Sequence, residues 1–451
     1  MGVFMMSKPR GAVLLGAALM GLTLGIPAAS ADSARANAYQ AWRSANALKV
    51  SRALSGRKVA SAKPAPDAGG QIVTTAENDT NGDGTVDERS ISTTNFDKKG
   101  RVVRTLEEYD SGVAGAAKAS TVNTYEYDKA GNEVRQVSVS NINDLGAGGD
   151  GSVFERSTAT TTYDAKDHPV QQVAELDRES DGTLELRQTT TYENDTRGNH
   201  LKTVFESDQG ADGSVDVRIT STATYDRQGH ELEVTFEADD NGDGVVDTRS
   251  RTTSSYDADG NLVEQKSEFD QGADGIIDGT SHDLVTYANG HAVSFLSEVD
   301  DDGDGRLSER TTGALTYNAS GELLEQVVEI DQADFPGSGE VDGIIDSRQT
   351  GTFEYDADGN LVRGTSTVQL TGFPPATETT LQTYDSRGNV LSYQSEVDFN
   401  GDGAIDARVG VVNTYNSRGQ LVTSTSESDF DGDGTIDYRS VATTAYDGVK
   451  H

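Results

Sequence analysis

No cysteine occurs in the 451 residues, which excludes disulfide staples, thiolate zinc sites, thiol nucleophiles and cysteine-borne lipid anchors. Basic residues are scarce: 37 Lys and Arg stand against 75 Asp and Glu, for a formal net charge of -38. Nucleic acid read through its phosphates needs clustered Lys and Arg, so that partner is excluded. Hydrophobic residues reach only 34%, too few for one dense core. The chain is nevertheless too regularly patterned for a disordered acidic tail. HExxH, GxSxG and P-loop patterns are missing, and the six histidines are scattered. GAGGDG from Gly146 fits GxGxxG but sits in a loop slot of a repeat, so it is set aside. No catalytic residue is assigned, and an enzyme is not expected.

Long apolar runs are also missing, with one exception. Ala12 to Ile26 is apolar, follows Lys8 and Arg10, and precedes the small residues Ala29-Ser30-Ala31. Residues 1–31 therefore read as a secretory signal peptide, and a secreted, surface or periplasmic location is expected. The run is shorter than the ~20 residues of a membrane helix. On that ground the mature chain is expected to have no membrane span. Residues 32–70 form a basic leader and a linker. Tyr39, Trp42, Ala45 and Leu48 fall three apart, the spacing of a short amphipathic helix.

What fills residues 71–451 is a repeat. An aromatic followed by a glycine-bearing turn recurs at Phe96, Tyr127, Tyr163, Tyr192, Tyr225, Tyr256, Tyr287, Tyr317, Tyr355, Tyr384, Tyr415 and Tyr446. The twelve units average about 31 residues, the mark of an architecture in which each unit packs on its neighbours. In ELEVTFEA, Leu232, Val234, Phe236 and Ala238 alternate with polar residues, which is strand periodicity. The return runs are rich in Thr and Ser and suit strands with a wet face. The expected fold is all-β: an array of antiparallel hairpins forming a long twisted, curled or solenoid-like sheet.

Each unit also carries an acidic turn. Eight copies are built on D-x-[N/D/G]-x-D-G-x-[V/I/L]-D at close spacing, starting at Asp79, Asp177, Asp208, Asp239, Asp270, Asp300, Asp398 and Asp429; Glu179 and Glu185 alter the copy from Asp177, and Ser308 takes position 9 of the copy from Asp300. Oxygen donors at positions 1, 3 and 5, with Gly at 6, suit a loop wrapped round a hard cation. Close carboxylates repel one another unless a cation neutralises them. Calcium is the expected cofactor. The candidate ligands are Asp79, Asn81, Asp83 and Asp87; Asp208, Asp212 and Asp216; Asp239, Asn241, Asp243 and Asp247; and Asp270, Asp274 and Asp278. Asp300, Asp302 and Asp304, then Asp398, Asn400, Asp402 and Asp406, and finally Asp429, Asp431, Asp433 and Asp437 complete the set. The apolar residue at position 8 is expected to pin the loop to the sheet. These loops resemble the first nine positions of the EF-hand loop and the aspartate-rich thrombospondin type 3 repeat. They lack the EF-hand Glu at position 12, so affinity is expected on the order of 0.1–1 mM.

A Glu lies two places before the first Asp, as at Glu77, Glu237 and Glu427, and an Arg ten places after it, as at Arg89, Arg249 and Arg439. In a hairpin they face each other across the loop base, which predicts a ladder of cross-strand pairs. Four turn slots are degraded, among them the inserted DQADFPGSGEVDGIID from Asp331 and the two-proline TGFPPATETT from Thr371.

The runs YDKAGNEV, YDADGNLVEQ, YDADGNLVRG, YDSRGNVL and YNSRGQLV resemble the YD repeat of RHS-like proteins. The resemblance implies a secreted or surface bacterial protein whose hairpins form a spiralling sheet that encloses a toxin or binds sugars. This chain adds the acidic loop, which the usual YD repeat lacks. The expected function is a secreted, calcium-binding repeat protein with a structural, adhesion or surface-binding role. Its expected partners are calcium and surface polysaccharide or another surface protein. A carbohydrate- or cell-wall-binding module is the alternative, and a polysaccharide hydrolase the third reading.

Overall fold

The computed structural model describes residues 69–110, 118–143, 153–179, 181–333 and 341–447. The signal peptide, the leader helix and the GAGGDG loop fall outside them. Within them lie 24 strands, all antiparallel, running from β1 (Gln71–Asp79) and β2 (Glu88–Phe96) to β24 (Tyr438–Asp447). Each strand pairs with its chain neighbours, and β1 also pairs with β24, from Gln71 opposite Asp447 to Asp79 opposite Arg439. The sheet therefore closes into a single barrel.

Closure corrects the expectation of a twisted, curled or solenoid-like array, and with it the spiral that the RHS-like resemblance implies. The physical reason lies in the stagger. In β11 (Glu231–Asp239), β12 (Thr248–Tyr256) and β13 (Leu262–Gln271), Arg249 faces Glu237 on one side and Asp270 on the other. The residue equivalent to Glu237 in the later strand is Glu268, so the register advances by two residues per hairpin. The same step recurs across the seam, where Arg439 lies between Glu427 and Asp79. A uniform step closes the ring without a mismatched pair, tilts the strands by roughly 40°, and leaves a barrel roughly 40 Å across. It also removes both sheet edges.

Strand alternation divides the wall into two chemically different faces. On one, Glu233, Thr235 and Glu237 of β11 stand beside Thr253, Arg251 and Arg249 of β12. On the other, Val234, Phe236 and Ala238 stand beside Thr252, Ser250 and Thr248. Both faces hold buried residues: Ser207, Ala238, Ser267, Val299 and Ser428 on the second, and Asp79, Asp239, Asp270 and Asp429 at the loop end of the first. No described side chain is less than 2% exposed, as a single-layer wall with so few apolar residues requires.

Two connection types alternate along a meander, so each type gathers at its own end. The aromatic-Asp-x-x-Gly turns form one rim, and the acidic loops form the other. At the first rim the turn is built by Asp257. Its Oδ1 accepts from the backbone N–H groups of Asp259 and Asn261, both at 2.9 Å, and its Oδ2 accepts from the Asn261 side chain at 3.0 Å. Hydrogen bonds from Asn261, led by its side chain, hold the Asp257 carboxyl below the usual carboxylate range. The tyrosine has a task that its sequence position conceals. The Tyr256 hydroxyl donates to the Glu231 carbonyl at 3.1 Å, and Tyr446 reaches Leu421 at 2.9 Å, each 25 residues upstream. Seven of the recurring tyrosines tie their turn to the one before it in this way.

Candidate functional site

The acidic rim gathers the candidate ligands into one ring. Each loop is held by its own carboxylates. In the loop from Asp79, the N–H groups of Asp83 and Gly84 donate to Asp79 at 3.2 and 2.7 Å, and Thr85 N–H donates to Asp83 at 2.8 Å. The Thr85 hydroxyl also donates to Asp83. These bonds, the side-chain one foremost, pull the Asp83 carboxyl below its ordinary range. Asp239, Asn241 and Asp243 repeat the frame, with Gly244, Asp243 and Val245 donating to them at 2.9, 3.0 and 2.8 Å. Asp398, Asn400 and Asp402 do the same for Gly403, Asp402 and Ala404 at 2.9, 2.9 and 2.8 Å.

The carboxylates at position 9 each use one oxygen within the loop. They cap the amide at position 2. Asp87 accepts from Thr80 at 2.8 Å, Asp216 from Gln209 at 2.5 Å and Asp247 from Asp240 at 2.8 Å. Asp278, Asp406 and Asp437 accept from Gln271, Phe399 and Phe430 at 2.6, 2.7 and 2.7 Å. Three sets of acids bring one oxygen each within 4.8 Å of one another: Asp300, Asp302 and Asp304; Asp429, Asp431 and Asp433; and Asp177, Asp181 and Glu185. The last set was passed over in the sequence because Glu179 and Glu185 break the consensus. In the loops from Asp208 and Asp270, Asp212 and Asp274 donate their N–H to the first Asp at 3.0 and 3.1 Å. There position 3 is Gly210 or Gly272, and neither offers a side-chain oxygen.

Neighbouring loops stack on one another. Gly82, Gly242, Gly303 and Gly432 all have φ near +70°, and a Cβ there would come within about 2 Å of a carbonyl oxygen: that of Ile436, Val215, Ile277 or Ile405. Each carbonyl belongs to position 8 of the preceding loop. Position 8 therefore meets the next loop through its backbone, and the Val86 side chain stands 50% exposed. Where position 3 is glycine, the contact is a hydrogen bond. Gly210 donates to the Glu185 carbonyl at 2.7 Å and Gly272 to that of Asp247 at 2.6 Å.

Below the loops runs the expected ladder. Arg218 reaches Glu206 at 2.7 Å, Arg249 reaches Glu237 at 3.1 Å and Arg408 reaches Glu396 at 3.3 Å. Arg89 pairs with Glu77, and Arg439 with Glu427 at 3.3 Å. The degraded slot from Asp331 keeps the rung, as Arg348 to Glu329 at 3.6 Å. Arg249 also reaches the next loop, donating to the Ala273 carbonyl at 3.1 Å. Arg249→Ala should cost about 0.2–1 kcal/mol, the range for an exposed pair. A urea midpoint lowered at unchanged m-value is the expected result, and an unchanged midpoint would show that the rung contributes nothing.

No family model and no curated protein matches the chain. Among solved structures it is similar to a porin-like protein of Bacteroides vulgatus (10% identity, TM-score 0.21, 51% of this chain and 94% of that one). A porin-like protein of Bacteroides uniformis also matches (10% identity, TM-score 0.22, 85% and 100%), as does Pseudomonas aeruginosa OpdO (10% identity, TM-score 0.18, 85% and 98%). Likeness at these scores carries no argument. The corrections rest on the barrel itself. A sheet closed on itself replaces the extended array on which the secreted calcium-binding adhesion reading stood, and that reading is withdrawn together with its sugar-binding alternative. The expectation of no membrane span is also withdrawn. It tested only for helices, whereas closed barrels cross bilayers with strands.

Proposed function

We propose that this chain is a hollow barrel of the bacterial envelope that passes small solutes through a mouth ringed by acidic loops. Closure of β1 on β24 carries the reading, because it encloses a lumen along the whole height of the wall. A closed sheet satisfies the backbone of every strand, which is the condition for strands in hydrocarbon. Strands of 9 to 11 residues suit a tilted crossing. An even strand number, with short turns at one rim and longer loops at the other, repeats the layout of membrane barrels. The acids at the mouth raise the local concentration of cations.

The wall sets what a test must decide. Lipid-facing strands carry an apolar band. Here only the face of Val234, Phe236 and Ala238 approaches one, diluted by Ser and Thr. Protein reconstituted into planar lipid bilayers should give stepwise conductance that favours cations, with the preference shrinking at molar salt as the rim charge is screened. A chain that stays dissolved without detergent and leaves the bilayer silent would overturn the reading.

A further inference from the structure

We propose that the loops from Asp429 and Asp239 are binding sites for calcium. Acidic loops alone would not carry this, since exposed acids are common. The decisive observation is a missing hydrogen bond. Asp429 is 3% exposed and Asp239 7% exposed, and in each the Oδ1 atom is buried with no hydrogen-bond partner. In the loops from Asp79 and Asp300 the same atom is satisfied, by Asp83 N–H at 3.2 Å and Gly303 N–H at 2.8 Å. A carboxyl oxygen cut off from both water and donors is costly, and a cation removes that cost.

The surroundings identify the cation. The other Asp429 oxygen accepts from Gly434 N–H at 3.0 Å and lies 3.6 Å from an Arg408 nitrogen, so protein donors are confined to that side. Asp431 and Asp433 bring oxygens within 4.8 Å of Asp429. At the second site Asn241 and Asp243 stand in the same loop as Asp239, whose other oxygen accepts from Gly244 N–H at 2.9 Å. Every donor is oxygen and most are carboxylates, which selects a hard divalent ion over the softer metals. Several carboxylates on a flexible loop fit calcium better than magnesium, which demands a rigid octahedron and keeps its waters.

The test uses the full chain, stripped with EGTA and titrated with calcium chloride by calorimetry in 150 mM salt to suppress diffuse binding. Two sites are expected, with dissociation constants on the order of 0.1–1 mM. Asp431→Asn with Asp433→Asn, both exposed positions, should remove one site and leave the far-ultraviolet β signal unchanged. Asn241→Ala with Asp243→Asn should remove the other. Titrations of either variant that match the parent, or magnesium heats equal to those of calcium, would overturn the assignment.

Discussion

Gly82→Ala should destabilise the protein far more than Gly84→Ala, although the two glycines are two residues apart in one loop. Both have positive φ, +70° and +87°, so alanine strains the backbone at either position by about 1–2 kcal/mol. Gly84 has nothing within 4 Å of an added Cβ, and its cost should stop there. At Gly82 the Cβ would lie 1.9 Å from the Ile436 carbonyl oxygen, in the loop that leads into β24. Two backbones must then part, which adds about 1–3 kcal/mol. That contact exists only because the last hairpin meets the first. In an open or spiralling sheet Ile436 would be remote, and the two variants would unfold at the same urea concentration. Equal midpoints would therefore remove the ring, and the mouth with it.

Much of this was legible in the chain. Alternation in ELEVTFEA and the recurring Tyr-Asp-x-x-Gly fixed strands and turns, because side-chain period and left-handed turn residues are local properties. The Glu–Arg ladder was legible too, since a hairpin's loop length dictates which residues face each other. Closure was not. It depends on a two-residue advance per hairpin being repeated at the seam, and no single repeat contains that information. The glycine at position 4, a place the consensus leaves open, shows the same limit: its packing reason lies in the preceding loop. The spacing that makes the position-9 acids candidate ligands does not show that one of their oxygens caps the amide at position 2. Likewise, the tyrosine hydroxyl reaches back 25 residues to a backbone carbonyl, which an aromatic pattern satisfied once by Phe96 gives no reason to expect.

The seam offers a second and more severe test. Thr74 of β1 and Thr444 of β24 face each other, with their hydroxyl oxygens 3.0 Å apart. Opposed strand residues lie within the Cα range a disulfide tolerates. The chain has no cysteine of its own, so Thr74→Cys with Thr444→Cys introduces one pair against an empty background. Mild oxidation should consume both thiols within a single chain and yield a monomer of altered mobility on a non-reducing gel. Because the bond spans 370 residues, it should stabilise the oxidised barrel by up to about 5 kcal/mol, reversed on reduction. In an open array of this many strands the two positions would stand roughly 110 Å apart. Their thiols would then stay free, or would join one chain to the next in a ladder of polymers. Polymers would restore a head-to-tail assembly of sheets, and no lumen would be enclosed for a solute to cross. A monomeric, reducible cross-link is the outcome that the register between β1 and β24 requires.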